Sequence, residues 1–119
     1  VALFTQSDCR PDGGSDAASW TRRAMASTRR RHYPKAIESF DRALECEPGS
    51  VEALLGRGNA LYALDRFDEA LETYERALEI APERPALHLA RSNALVALGR
   101  KEEAVAAYDR AMALRRPHQ

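Results

Sequence analysis

One phrase occurs three times in this chain at a fixed spacing. "KAIESFDRALECEP" fills residues 35–48, "EALETYERALEIAP" fills 69–82 and "EAVAAYDRAMALRRP" fills 103–117, an offset of 34 residues each time. Ala36, Ala70 and Ala104 share a column, as do Phe40, Tyr74 and Tyr108, then Ala43, Ala77 and Ala111. Pro48 and Pro82 close two units, and Pro117 falls one residue late. Upstream, Trp20, Leu54 and His88 align, and so do Ala24, Gly58 and Ser92. A unit this short cannot hide its apolar face alone, so consecutive units must stack and share one core.

The hydrophobic period sets the shape of each unit. In "VEALLGRGNALYAL" (51–64), Val51, Leu54, Leu55, Gly58, Leu61, Tyr62 and Leu64 follow the 3.6-residue spacing of an amphipathic helix. After a break at "DRF", "DEALETYERALEIA" (68–81) restarts it with Ala70, Leu71, Tyr74, Ala77 and Leu78. Asp68 and Glu69 suit the positive end of that second helix, and Pro82 stops it. Pro85 fits the first turn of the next helix, and Gly99 supplies a left-handed helix end. The Ala and Gly columns mark where two helix backbones approach closely. The expected fold is all-α, three antiparallel helix pairs over 17–50, 51–84 and 85–118.

Together these columns resemble the tetratricopeptide repeat family, whose pattern of aromatic, Leu-Gly, aromatic, Ala, aromatic, Ala and Pro spans 34 residues. The likeness covers 17–117. Its second-helix motif is the more specific, because Arg23, Arg57 and Arg91 stand where the family usually has Leu. The resemblance implies a right-handed superhelical solenoid. It also implies a concave groove lined by positions 2, 5, 6, 9, 12 and 13 of each first helix.

Composition removes several function classes. Eighteen Lys and Arg balance eighteen Asp and Glu, so overall charge does not favour nucleic acid or an anionic membrane. No apolar run nears the roughly 18 residues of a membrane span, and "VALFTQ" has no basic n-region of a secretory signal. Cys9 and Cys46 lack metal or redox spacing; a disulfide between them stays open, and a reducing cytoplasm is the default location. His32, His88 and His118 are far apart, so neither a zinc motif nor a catalytic triad is indicated, and no cofactor is expected. "GRGNAL" (56–61) is a partial dinucleotide fingerprint inside a helix, where close packing explains it better. The expectation is a non-enzymatic protein.

Residues 1–16, with Pro11, Gly13 and Gly14, are expected to form an arm. The first unit departs from its sisters: "WTRRAMASTRRRHY" loses the Leu, Asn and Tyr of "GNALYAL" and carries six Arg or Lys between 22 and 35 with no acid. A weakly packed terminal helix is the favoured account. A basic patch of Arg22, Arg23, Arg29, Arg30, Arg31 and Lys35 for nucleic acid is the competing one. A shift of reading frame over 20–31 is a further idea: codons for "RAMAST" read two bases on admit Gly-Asn-Gly-Leu-Tyr. Resequencing the gene tests it.

By resemblance, the groove is lined by Glu52, Leu55, Gly56, Asn59, Tyr62 and Ala63, then Ala86, Leu89, Ala90, Asn93, Val96 and Ala97, with Ala18, Thr21, Arg22, Met25, Thr28 and Arg29 in unit one. Asn59 and Asn93 are candidates to hold a peptide backbone, since an amide both donates and accepts. Leu55, Tyr62, Leu89 and Val96 would select apolar side chains, and Arg22 and Arg29 an acidic end. The family's clamp for a chaperone's C-terminal carboxylate needs Lys, Asn and Arg where this chain has Thr21, Met25, Gly56, Ala86 and Ala90, so that activity is disfavoured. The leading expectation is an adaptor binding a peptide or helix of another protein. A regulatory or targeting segment of a larger protein is the alternative. The last helix is expected to expose Val105, Met112 and Leu114.

Overall fold

Small residues at fixed intervals let the helices of each pair pack closely. The computed structural model describes Cys9 and residues 16–116, and every regular element among them is a helix. These are α1 (Ala17–Arg29), α2 (Tyr33–Cys46), α3 (Val51–Ala63), α4 (Phe67–Ile80), α5 (Pro85–Ala97) and α6 (Lys101–Arg115). They pair as α1/α2, α3/α4 and α5/α6, and α2 packs on α3 as α4 does on α5. The result is an all-α helical-repeat solenoid measuring 47 × 34 × 23 Å. Apart from Cys9 and Asp16, the expected arm lies outside the described residues.

The core follows the repeat columns. Ala36, Ala70 and Ala104 are buried, as are Ala43, Ala77 and Ala111. Phe40 and Tyr74 are nearly inaccessible, at 1% and 2%. Tyr108, third in that column, is 50% exposed because no helix follows α6 among the described residues to cover it. A Cβ on Gly58 would collide with the Tyr74 ring, and one on Gly56 with the Phe40 ring. Of the outer residues expected on α6, Val105 is exposed, whereas Met112 and Leu114 are half-buried.

Helix boundaries fall within one residue of those expected for α3 and α4, and Pro85 sits in the first turn of α5. Two caps went unread in the sequence. Asp16 accepts from Ser19 N–H at 2.8 Å to start α1, and Ser50 accepts from Ala53 N–H at 3.2 Å to start α3. The Ser19 backbone N–H, and after it the Ser19 hydroxyl, hold the Asp16 carboxyl below the usual carboxylate range. The turns inside the pairs share one device. Arg31, Asp65 and Gly99, again 34 apart, have φ of 61°, 62° and 78°. Only the glycine advertised this left-handed conformation.

Cys9 and Cys46 form a disulfide, with Cα atoms 5.4 Å apart across a sequence separation of 37. Spacing along the chain gave no support for this pairing. It arises because an antiparallel hairpin sets the start of α1 beside the end of α2.

The first pair is more regular than its sequence suggests. α1 is a full helix, and Trp20 lies half-buried between the guanidinium groups of Arg23 and Arg42, 4.7 and 5.3 Å from its ring centre.

Candidate functional site

α1, α3 and α5 place one face of each side by side, and shallow clefts run between them. The α3/α5 cleft, about 280 Å³, is lined by Leu55, Asn59, Tyr62, Ala86, Leu89, Ala90 and Asn93, with Tyr74 beneath. Five of the eight proposed contact residues therefore meet in one place. On the other side of Asn59, the α1/α3 cleft of about 290 Å³ is lined by Thr21, Met25, Phe40, Glu52, Leu55 and Gly56 as well as Asn59. Arg29 stands over an adjoining recess with Met25, Thr28 and Asn59. Val96 lies apart from this group, with Asn93 in the cleft of α5/α6. Arg22 lines none of these clefts and donates to Ser19 Oγ at 3.2 Å.

The six cations between 22 and 35 are all exposed. Arg29 borders the groove side, while Arg23 and Lys35 line a cleft with Trp20 and Arg42 outside it. A helix distributes side chains around its axis, so Arg23 and Arg29, six residues apart on α1, serve different clefts.

One hydrogen bond sets the chemistry of the central residue. Tyr74 Oη donates to Asn59 Oδ1 at 2.6 Å. Burial pushes the Tyr74 phenol far above its ordinary range, with Tyr62 adding to the effect, so it keeps its proton at physiological pH. The amide oxygen is thereby occupied, and the Asn59 Nδ2 hydrogens make no hydrogen bond among the described residues. Asn59 thus offers donors to the groove, narrowing the donor-and-acceptor role its residue type allows. In unit one the same two columns hold Met25 and Phe40, so the hydroxyl and the amide are lost together.

Sequence reasoning treated Tyr74 and Phe40 as core only. Both also floor the groove, a double role that their period alone could not reveal. Tyr62 is less free than its exposure implies, because its ring stands edge-on to Phe67 with centres 5.1 Å apart. Among the described residues no cluster of His, Cys, Asp and Glu is arranged to hold a metal ion. None of the helices there is long and apolar enough to cross a membrane.

Stacked helix pairs with a concave, mostly apolar face define a class of helical-repeat proteins. The tetratricopeptide repeat model matches residues 21–85 and 57–118, and the chain belongs to that family. No curated protein matches the chain in sequence. Among solved structures, it is similar to MamA (AMB-1 C2221) at 27% identity and TM-score 0.77, over 87% of this chain and 59% of that one. It also superposes on the "First TPR of Spaghetti (RPAP3) bound to HSP90 peptide SRMEEVD" at 21% identity and TM-score 0.82, covering 83% and 79%. The chain spans less than two thirds of the length of the MamA chains in several of the structures it matches. None of these matches indicates a catalytic family.

Proposed function

We propose that this chain is a protein-interaction adaptor that holds a segment of a partner protein in the groove between α1, α3 and α5. The observation carrying this reading is the Tyr74–Asn59 hydrogen bond, which turns an amide donor toward a cleft walled by Leu55, Leu89 and Tyr62. Donors of this kind bind backbone carbonyls whatever the partner's side chains, while the apolar walls favour aliphatic or aromatic ones. Asn93 extends the same service along the groove, and Arg29 favours an acidic residue at its far end. The peptide bound to the Spaghetti repeat domain supports the general mode. Its carboxylate chemistry does not transfer, given Thr21, Met25, Gly56, Ala86 and Ala90 in this chain.

Selection of a random-peptide library against the intact chain tests the reading. Enriched peptides rich in apolar residues are expected, with affinity about tenfold lower for the double variant Asn59→Ala, Asn93→Ala, equivalent to a hydrogen bond or two. Peptides that bind the double variant equally well would place recognition elsewhere.

The cytoplasm stays the proposed location, and the disulfide gives it a sharp test. A reducing compartment keeps Cys9 and Cys46 as thiols, whereas the bonded pair belongs to an oxidising one. Rapid alkylation in the source cells, followed by mass measurement, distinguishes the two.

A further inference from the structure

The repeats are coupled by an ion pair that recurs with the same period as the fold. Arg57 Nε on α3 donates to Asp41 Oδ1 on α2 at 2.6 Å, and 34 residues on, Arg91 Nε on α5 donates to Glu75 Oε2 on α4 at 3.1 Å. Each pair crosses from one repeat to the next. Arg57 and Arg91 are mostly buried, with side-chain exposures of 22% and 25%, so the pairs belong to the joint between repeats. These are the positions where the family usually carries Leu, and here a charge pair takes that place.

One period outward in either direction lie Arg23 on α1 and Asp109 on α6. Both are exposed, and neither is in an ion pair among the described residues. The faces that carry them are also unlike each other. The α1/α2 face has a cleft of about 490 Å³ lined by Trp20, Arg23, Lys35 and Arg42. The α5/α6 face has one of about 480 Å³ lined chiefly by Val96, Ala104, Val105 and Tyr108. One end of the solenoid thus carries the arginine half of the joint, and the other carries the acid half beside an exposed apolar surface.

We propose that a second copy of this chain docks head to tail, α1 of one copy against α6 of the next, with Arg23 paired to Asp109 across the joint. Such a contact uses different surfaces on the two molecules, so a dimer leaves one of each unfilled; continuing the stacking of the repeats inside the chain, it grows into short rods as concentration rises. It also carries the concave groove from one copy into the next. The joint is looser than those inside the chain. Arg22 occupies the column where Gly56 faces Phe40 and Ala90 adjoins Tyr74, so it must lie along the exposed Tyr108 ring instead of fitting beneath it. An exposed ion pair at such a joint is sensitive to salt.

Sedimentation velocity of the full chain over a wide concentration range tests this. The expected result is a mean mass that climbs past the dimer with concentration and falls back at high salt. Arg23→Asp and Asp109→Arg, both at exposed positions, each set like charges across the joint and should weaken association at least about tenfold. Mixing the two variants recreates an opposite pair at every joint, so association should return. Circular dichroism checks that each variant keeps its helices. A chain that stays monomeric throughout, one that stops at a dimer, or variants that stay apart when mixed would each overturn the proposal.

Discussion

Arg31 adopts a backbone conformation that L-residues rarely hold, with φ of 61°. Its counterpart Gly99 meets the same demand without a Cβ, so Arg31→Gly should stabilise the protein by about 1 kcal/mol, visible as a higher Tm. The reverse logic applies at Gly58. Ala is the better helix former by about 1 kcal/mol, yet a Cβ at this position strikes the Tyr74 ring, which is buried and tied to Asn59. Gly58→Ala should therefore cost about 1–3 kcal/mol in chemical denaturation, the range of overpacked cores. It should also weaken peptide binding, because the displaced phenol releases the Asn59 amide. At this scale the sequence was readable wherever a residue type is nearly obligatory, as with Gly99 and Pro85. It was opaque where context imposed the conformation, as at Arg31 and Asp65.

Among the elements, the first helix pair is the one whose stability has a separate source. α1 lacks the Leu and Tyr of its sister helices, and Ala24 is its one buried residue. What it gains instead is the Asp16 cap, the Arg23–Trp20–Arg42 stack and the covalent tie from Cys9 to the end of α2. Closing a loop of this length removes up to about 4 kcal/mol of chain entropy from the unfolded state. Adding reductant should lower the denaturant midpoint of the α1/α2 pair more than that of α5/α6, and hydrogen exchange resolved by helix measures it. Cys46→Ser should reproduce the effect without reductant. The 3.6-residue period showed α3 and α4, and the 34-residue repeat extended the expectation to the other four helices. The disulfide was not legible, because two cysteines far apart in sequence carry no sign of proximity until the hairpin is built.

For the whole molecule, the period fixed the fold. The family resemblance, rather than the period by itself, pointed to Asn59 and Asn93 as neighbours on one face, and both line the α3/α5 cleft. What position could not supply was the state of its groups. The Tyr74 hydroxyl crosses from α4 to α3, and nothing in the order of residues shows that it takes the amide oxygen and leaves the donors. Likewise, Arg23 and Arg29, close in sequence on α1, line different clefts.

The Cys9–Cys46 bond encloses α1, its turn and the whole of α2 in a single covalent ring. A protease that cut the exposed Arg29–Arg31 stretch would open the ring without parting the pieces. Oxidised, the nicked molecule would still travel as one chain, and the wound would show only after the thiols were freed.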